Sequence, residues 1–134
     1  MSEIYTFGVK TVLQSAMIGI TKEVQNVVKE SGVKSGICVI FIPHTTAAIT
    51  INENADSDIV RDFLMEINKV IPLTEGYHHL EGNSAAHIKS SMMGFSQTVI
   101  IEEGRLLLGT WQDIYLIEFD GPRIRKVLVK VIEG

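Results

Sequence analysis

Hydrophobic and polar positions recur along this chain in two periods, and the changes between them predict its elements. Residues 3 to 13 alternate weakly and are rich in β-branched and aromatic types, which predicts an edge or N-terminal strand. Over residues 21 to 31 the spacing becomes helical, with Val24, Val27 and Val28 on one face. Thr21 is the expected N-cap there, and Gly32 sits where a C-terminal glycine belongs. Gly36 to Pro43 is a continuous β-branched run and predicts a buried strand, and Ala47 to Asn52 predicts a second. Asp56 then introduces an amphipathic helix to about Val70, with Ile59, Phe63, Ile67 and Val70 at helical spacing and Pro72 ending it.

Residues 73 to 83 are polar and loop-like, and Asn83 or Ser84 can cap a short helix containing Ala85 to Met93, stopped by Gly94. The rest is strand-rich. Val99 to Ile101 and Leu106 to Leu108 flank Glu102-Glu103-Gly104, a hairpin signal. Asp113 to Phe119 and Ile124 to Ile132 flank Asp120-Gly121-Pro122, a second turn. Arg123, Arg125, Lys126 and Lys130 around Val127, Val129 and Val131 give an alternating strand. Consecutive hairpins favour antiparallel pairing. The expected fold is α+β: a mostly antiparallel, β-sandwich-like sheet partly covered by two or three helices, in one domain over residues 1–134.

Composition narrows the function classes. The chain has 134 residues, enough for one core without staples. A hydrophobic share of 46% and a mean hydropathy of +0.22 exclude a disordered chain and leave apolar surface that an oligomer could hide. A net charge of -4 and a pI near 5.5 argue against general nucleic-acid binding, which needs a basic face. No signal peptide or membrane-length apolar run is visible, so the cytoplasm is the expected location. The single cysteine, Cys38, lies in an apolar run and reads as a small buried hydrophobe.

Candidate chemistry gathers between residues 44 and 87. All four histidines, His44, His78, His79 and His87, fall there, at a strand end, in a loop and at a helix start. Neutral imidazole is the usual ligand of zinc-like metals, but neither HExxH nor a CxxC pair is present, so any shared site must be assembled by the fold. Asn52, Glu53, Glu81 and Asn83 lie in the same stretch. Thr45 and Thr46 beside His44 could hold a phosphate or could satisfy a strand end. Gly82-Asn83-Ser84 offers either a simple capped helix or helix-terminal N–H groups for an anion, with Lys89 and Arg123 adding charge. Glu118 and Asp120, two apart, share one face and with the nearby Arg123 could bind a cation or a substrate, or could form a solvated hairpin end. Trp111 reads as core or interface packing.

Ordered blocks carry a family resemblance. They are Pro43-His44-Thr45-Thr46-Ala47-Ala48 continuing to Ile51-Asn52-Glu53-Asn54-Ala55-Asp56, and Glu81-Gly82-Asn83-Ser84-Ala85-Ala86-His87-Ile88-Lys89. Gly104-Arg105-Leu106 with Leu108-Gly109-Thr110-Trp111-Gln112, and Glu118-Phe119-Asp120-Gly121-Pro122-Arg123, complete them. Together they resemble the YjbQ-type family, widely labelled a secondary thiamine-phosphate synthase family. The resemblance implies a homotrimer with a pocket near the subunit boundary, lined by His44, His79 and His87 and able to hold a divalent metal, zinc in the first instance. Tyr77-His78-His79 matches a family Tyr-x-His pattern, which makes His79 the ligand and His78 the spare. Asn52, Glu53, Asn83 and Arg123 come over as further pocket residues. Asp113 is a departure, because a small or basic residue is expected after Trp-Gln; a carboxylate facing the pocket would oppose an anionic substrate.

The activity implied is an enzyme that joins a pyrimidine diphosphate to a thiazole phosphate and releases pyrophosphate. Thr45, Asn52, Asn83, Lys89 and Arg123 would bind the phosphorylated substrate, with Arg123 and Lys89 neutralising the leaving diphosphate. Mg²⁺ is the usual partner of such chemistry, whereas three histidines suit zinc. The alternatives are metal-dependent hydrolysis of a small phosphorylated or cyclic substrate, with Glu53 or Glu81 as general base, and a non-catalytic trimer that binds a metal or anion.

Overall fold

The computed structural model describes residues 3–134, which form eight strands and three helices. In chain order they are β1 (Ile4–Lys10), β2 (Ala16–Gly19), α1 (Thr21–Ser31), β3 (Gly36–Phe41) and β4 (Ala47–Glu53). Then come α2 (Ser57–Val70), α3 (Ser84–Met93), β5 (Ser96–Glu102), β6 (Arg105–Leu106), β7 (Gln112–Glu118) and β8 (Ile124–Glu133). A five-stranded sheet has the order β1-β8-β3-β5-β6 and a three-stranded sheet the order β2-β7-β4. All pairings are antiparallel. The α+β sandwich expected from the pattern is the fold observed.

The main core lies between the two sheets and is closed by α1 through Ile20, Val24, Val27 and Val28. It takes Cys38 and Ile40 from β3, Val127, Val129 and Val131 from β8, and Ile114 and Leu116 from β7. The other face of β7 sends Ile117 and Phe119 into a second cluster with Ala48, Ala86, Phe63 and Ile67, beneath α3 and α2. The central strand of the small sheet is thus buried on both faces, which explains its unbroken apolar run. The outer face of the large sheet is different: Ile37, Phe41, Ile100 and Ile132 all point out.

Local chemistry sets most element ends. Gly32 ends α1 in the left-handed region at φ 73°, with its N–H on the Lys29 carbonyl at 3.2 Å. Asp56 caps α2 through its carboxylate, which accepts from the Asp58 N–H at 2.9 Å. Glu103 and Gly104 turn the β5–β6 hairpin with φ of 53° and 74°.

Four expectations are corrected. Ile20, not Thr21, occupies the N-cap of α1; the Thr21 hydroxyl instead accepts from the Ile114 N–H at 2.8 Å, tying the helix to β7. β2 falls in a stretch that the pattern left unassigned. β6 is Arg105–Leu106 rather than residues 106 to 108. Asp120-Gly121-Pro122 closes no hairpin, because β7 and β8 belong to different sheets and the segment is the corner between them. No helix among the described residues is long and apolar enough to cross a membrane.

Candidate functional site

The corner from β7 to β8, the loop from β3 to β4 and the start of α3 meet at one end of the sandwich. Between them lies an open cleft of about 330 Å³. The β3–β4 loop lines it with Pro43, His44, Thr45 and Thr46, the start of α3 with Glu81, Asn83 and His87, and the corner with Arg123 and Arg125.

A buried ion pair holds this corner together. Arg125 Nε donates to Glu118 Oε1 at 2.8 Å, and Arg125 Nη2 donates to Glu118 Oε2. The same Nη2 reaches the Thr46 hydroxyl at 2.9 Å and the Thr46 carbonyl at 3.1 Å. The Thr11 hydroxyl donates to Glu118 Oε1 at 2.7 Å, so one ion pair joins the segments of Thr11, Thr46, Glu118 and Arg125. Burial alone would raise the Glu118 pKa, but hydrogen bonds from Arg125, Thr11 and the Asp120 N–H outweigh it and hold the carboxyl below its usual range. Glu118 is therefore a fixed structural anion, not half of a cation site with Asp120.

Asp120 organises the rim. It receives the Asn83 side-chain amide at 2.8 Å and Arg123 Nη2 at 2.8 Å, while Arg123 Nε donates to its carbonyl at 2.8 Å. Asn83 stands at the N-cap of α3 yet makes no side-chain cap. Its Oδ1 is buried without a hydrogen-bond partner. His44 Nε2 accepts the Lys126 backbone N–H at 2.8 Å. Burial, and next the Arg125 charge, lower the His44 pKa and favour a neutral ring.

The structure divides the expected site residues. His44, Thr45, Glu81, Asn83, His87 and Arg123 share the cleft. His79 packs edge to face on His87, with ring centroids 5.2 Å apart, whereas His78 makes no such contact; both His78 and His79 are exposed. Asn52 and Glu53 lie at the far end of the seven-residue β4, roughly 20 Å away at 3.3 Å per residue. There the Glu53 carbonyl accepts from the Tyr115 hydroxyl. Asp113 sits at that same far end, accepting from the Asn54 amide at 2.7 Å, so within the chain it does not face the histidines. Trp111, expected in a core or an interface, is 63% exposed in the single chain.

Lys89 was expected to neutralise an anion. Instead it is fully buried, bonded to Asn68 and 5.7 Å from the Phe119 ring centroid, and burial lowers its pKa. Cys38 is buried, and burial pushes its thiol up to about 11, as suits an inert core residue. Sequence reasoning missed Arg125 and Glu118 as a pair. The signal was the parity of β8: Val127, Val129 and Val131 face the core, so Arg125 does too.

The donor chemistry of His44, His79 and His87 suits a zinc-like ion, but their placement does not close a ligand set. His79 and His87 are neighbours, while His44 spends its Nε2 on Lys126. Among the described residues no group of three or more His, Cys, Asp or Glu side chains is placed to hold a metal ion.

An α+β sandwich of two antiparallel sheets, with a cleft at one end, is the class of protein that fold and site define. The family described as UPF0047 protein YjbQ-like matches residues 5–134, and the chain belongs to that family. It is 52% identical over 128 residues to the UPF0047 protein YugU of Bacillus subtilis, covering 95% of this chain and 97% of the relative. It is 50% identical over 129 residues to a UPF0047 protein of Methanocaldococcus jannaschii, covering 96% and 94%. Among solved structures, a YjbQ/UPF0047 protein from Clostridium acetobutylicum superposes with a TM-score of 0.94 at 57% identity, over 96% of this chain and 99% of that one. A YbjQ-like protein of unknown function from Sulfolobus solfataricus superposes with a TM-score of 0.93 at 34% identity, over the whole of both chains (100% each).

Proposed function

We propose that this chain is an enzyme for a small phosphorylated substrate held in the His44–His87 cleft, and that its reaction is the condensation the family resemblance implies. In that reaction the carbon–oxygen bond of a pyrimidine diphosphate breaks and its electron pair leaves on pyrophosphate. The lone pair of a thiazole phosphate nitrogen then forms the new carbon–nitrogen bond. The protein must supply cationic donors for the leaving group and shelter a carbon that becomes positive.

The observation that carries the reading is Arg123. Its guanidinium is anchored on Asp120 through Nε and Nη2, yet its side chain stays 47% exposed at the cleft. Arginine has five N–H donors, so the remaining ones are free for phosphate oxygens. Thr45 and the His44 ring line the same space. The resemblance adds a divalent metal, zinc in the first instance, on His44, His79 and His87; among the described residues these side chains do not assemble a closed ligand set, so no step is assigned to it.

A homotrimer and a cytoplasmic setting belong to this reading. The outward Ile37, Phe41, Ile100 and Ile132 on the large sheet support association, and the lone buried Cys38 suits a reducing compartment. Phe41→Glu should lower the mass measured by sedimentation.

The test is turnover with both substrates. Product and pyrophosphate should appear together and fall at least about tenfold in Arg123→Ala, as loss of a charge-assisted contact implies. A second reading has Glu81 in its favour, because it lines the same cleft as His87 and its carboxylate could act as a general base. Hydrolysis of a phosphoester without condensation would replace the synthase with that hydrolase. Neither activity, with the oligomer intact, would leave a non-catalytic binder.

A further inference from the structure

The hydrogen bond from the Lys126 backbone N–H to His44 Nε2, at 2.8 Å, fixes more than a ring position. A nitrogen that accepts an N–H must present a lone pair, so in the neutral ring the proton sits on Nδ1. A metal would need a lone pair too. Ligation through Nε2 would take the one that Lys126 uses. Ligation through Nδ1 would put the ring proton on Nε2, pointing at the Lys126 N–H. Either route breaks the bond.

Both ends of that bond are tied down. Lys126 lies in β8, paired with Gly8 of β1, and directly follows Arg125. Arg125 is locked onto Glu118 and onto the hydroxyl and carbonyl of Thr46, two residues after His44. One buried ion pair therefore sets the strand that donates and the loop that accepts. Among the described residues Nδ1 has no partner within the chain, although His44 lines the cleft.

We propose that His44 is a fixed neutral donor, presenting Nδ1–H to an anionic oxygen of a phosphorylated ligand, and is not a metal ligand. The ligand class rests on the functional reading above. The exclusion of metal rests only on the Lys126 bond. Arg125 and Glu118 then act through His44 as positioning residues. A neutral ring clamped this way is an electrophilic donor and does not shuttle protons.

Long-range ¹H–¹⁵N correlation of the ¹⁵N-histidine-labelled protein tests this without any substitution. His44 should show the Nδ1-protonated tautomer, stay unmoved when Zn²⁺ alone is added whether or not His79 and His87 respond, and shift at Nδ1–H with inorganic pyrophosphate. Arg125→Lys keeps the charge but loses the guanidinium fork, and should mix the two His44 tautomers. His44→Ala and His44→Gln should retain whatever zinc the wild type holds, and His44→Ala should weaken pyrophosphate binding about tenfold or more.

A zinc-induced coordination shift at either His44 nitrogen overturns the proposal, as does loss of stoichiometric zinc in both variants. If the wild type binds no pyrophosphate while His44 keeps its tautomer and ignores zinc, the functional reading falls and the non-ligand assignment stands. If pyrophosphate binds wild type and His44→Ala equally, the donor role falls and the functional reading stands.

Discussion

Glu118→Ala removes the anion on which the corner is built. Glu118 is 0% exposed and Arg125 3%, so the guanidinium left behind is an unpaired charge in the interior. The Asp120 N–H loses its acceptor at the same time, and the Thr11 hydroxyl keeps only the Arg123 carbonyl, at 3.1 Å, to donate to. Removing one partner of a buried pair costs about 3–5 kcal/mol, a large share of the roughly 5–15 kcal/mol that holds a domain folded. At about 2.1 cal/mol/K of unfolding entropy per residue over 134 residues, that lowers the melting temperature by about 10 to 18 °C. The assay is thermal unfolding by circular dichroism at fixed subunit concentration, because association shifts apparent stability by mass action. Glu118→Leu combined with Arg125→Met should recover most of the loss, since neither charge then has to be kept dry. A fall of less than about 3 °C, or a double variant that melts no higher than the single one, would refute the ion pair as the corner's organiser.

The same carboxyl predicts acid behaviour. Its folded pKa lies below the ordinary 4.5, so the unfolded chain takes the proton first; the stability it gives is full above that value and lost as pH falls through the folded one. Glu118→Gln should flatten the fall in urea midpoint between about pH 5 and pH 3, and an unchanged slope would contradict the pairing. Lys89 works the other way: burial lowers its pKa from 10.5, so wild-type stability should rise as pH climbs towards that value, and Lys89→Met should match or exceed the wild type at neutral pH. A Lys89→Met protein less stable by more than about 1 kcal/mol would show that the Asn68 contact outweighs the buried charge. Gly121→Ala places a Cβ 2.1 Å from the Leu13 carbonyl, so it should cost about 1–3 kcal/mol and disturb Arg123; wild-type stability and pyrophosphate affinity would count against it.

Periodicity carried the fold a long way. Val24, Val27 and Val28 marked the buried stripe of α1, and Ile59, Phe63, Ile67 and Val70 marked α2. It could not say which sheet a strand joins, so residues 120 to 122 read as a hairpin when they turn a corner between sheets. The site divided for a similar reason. Alternation reports a face and not an end, and the length of β4 carries Asn52 and Glu53 away from His44. Lys89 shares a helical face with Ala86 and Met93, so its burial was readable from spacing, but its charge suggested a ligand. His44, Glu81, Asn83, His87 and Arg123 were legible because loops and element ends collect at the ends of a sandwich. The hydrogen bond from Lys126 to His44 was not, because it joins residues 82 positions apart through tertiary packing.

The most direct test of the phosphate cleft is calorimetric titration of inorganic pyrophosphate into the wild type and Arg123→Ala, with the oligomer confirmed intact in both. The account predicts that the wild type binds and that the variant binds about tenfold more weakly or worse. Equal affinity in the two proteins, or no binding to the wild type, would contradict it.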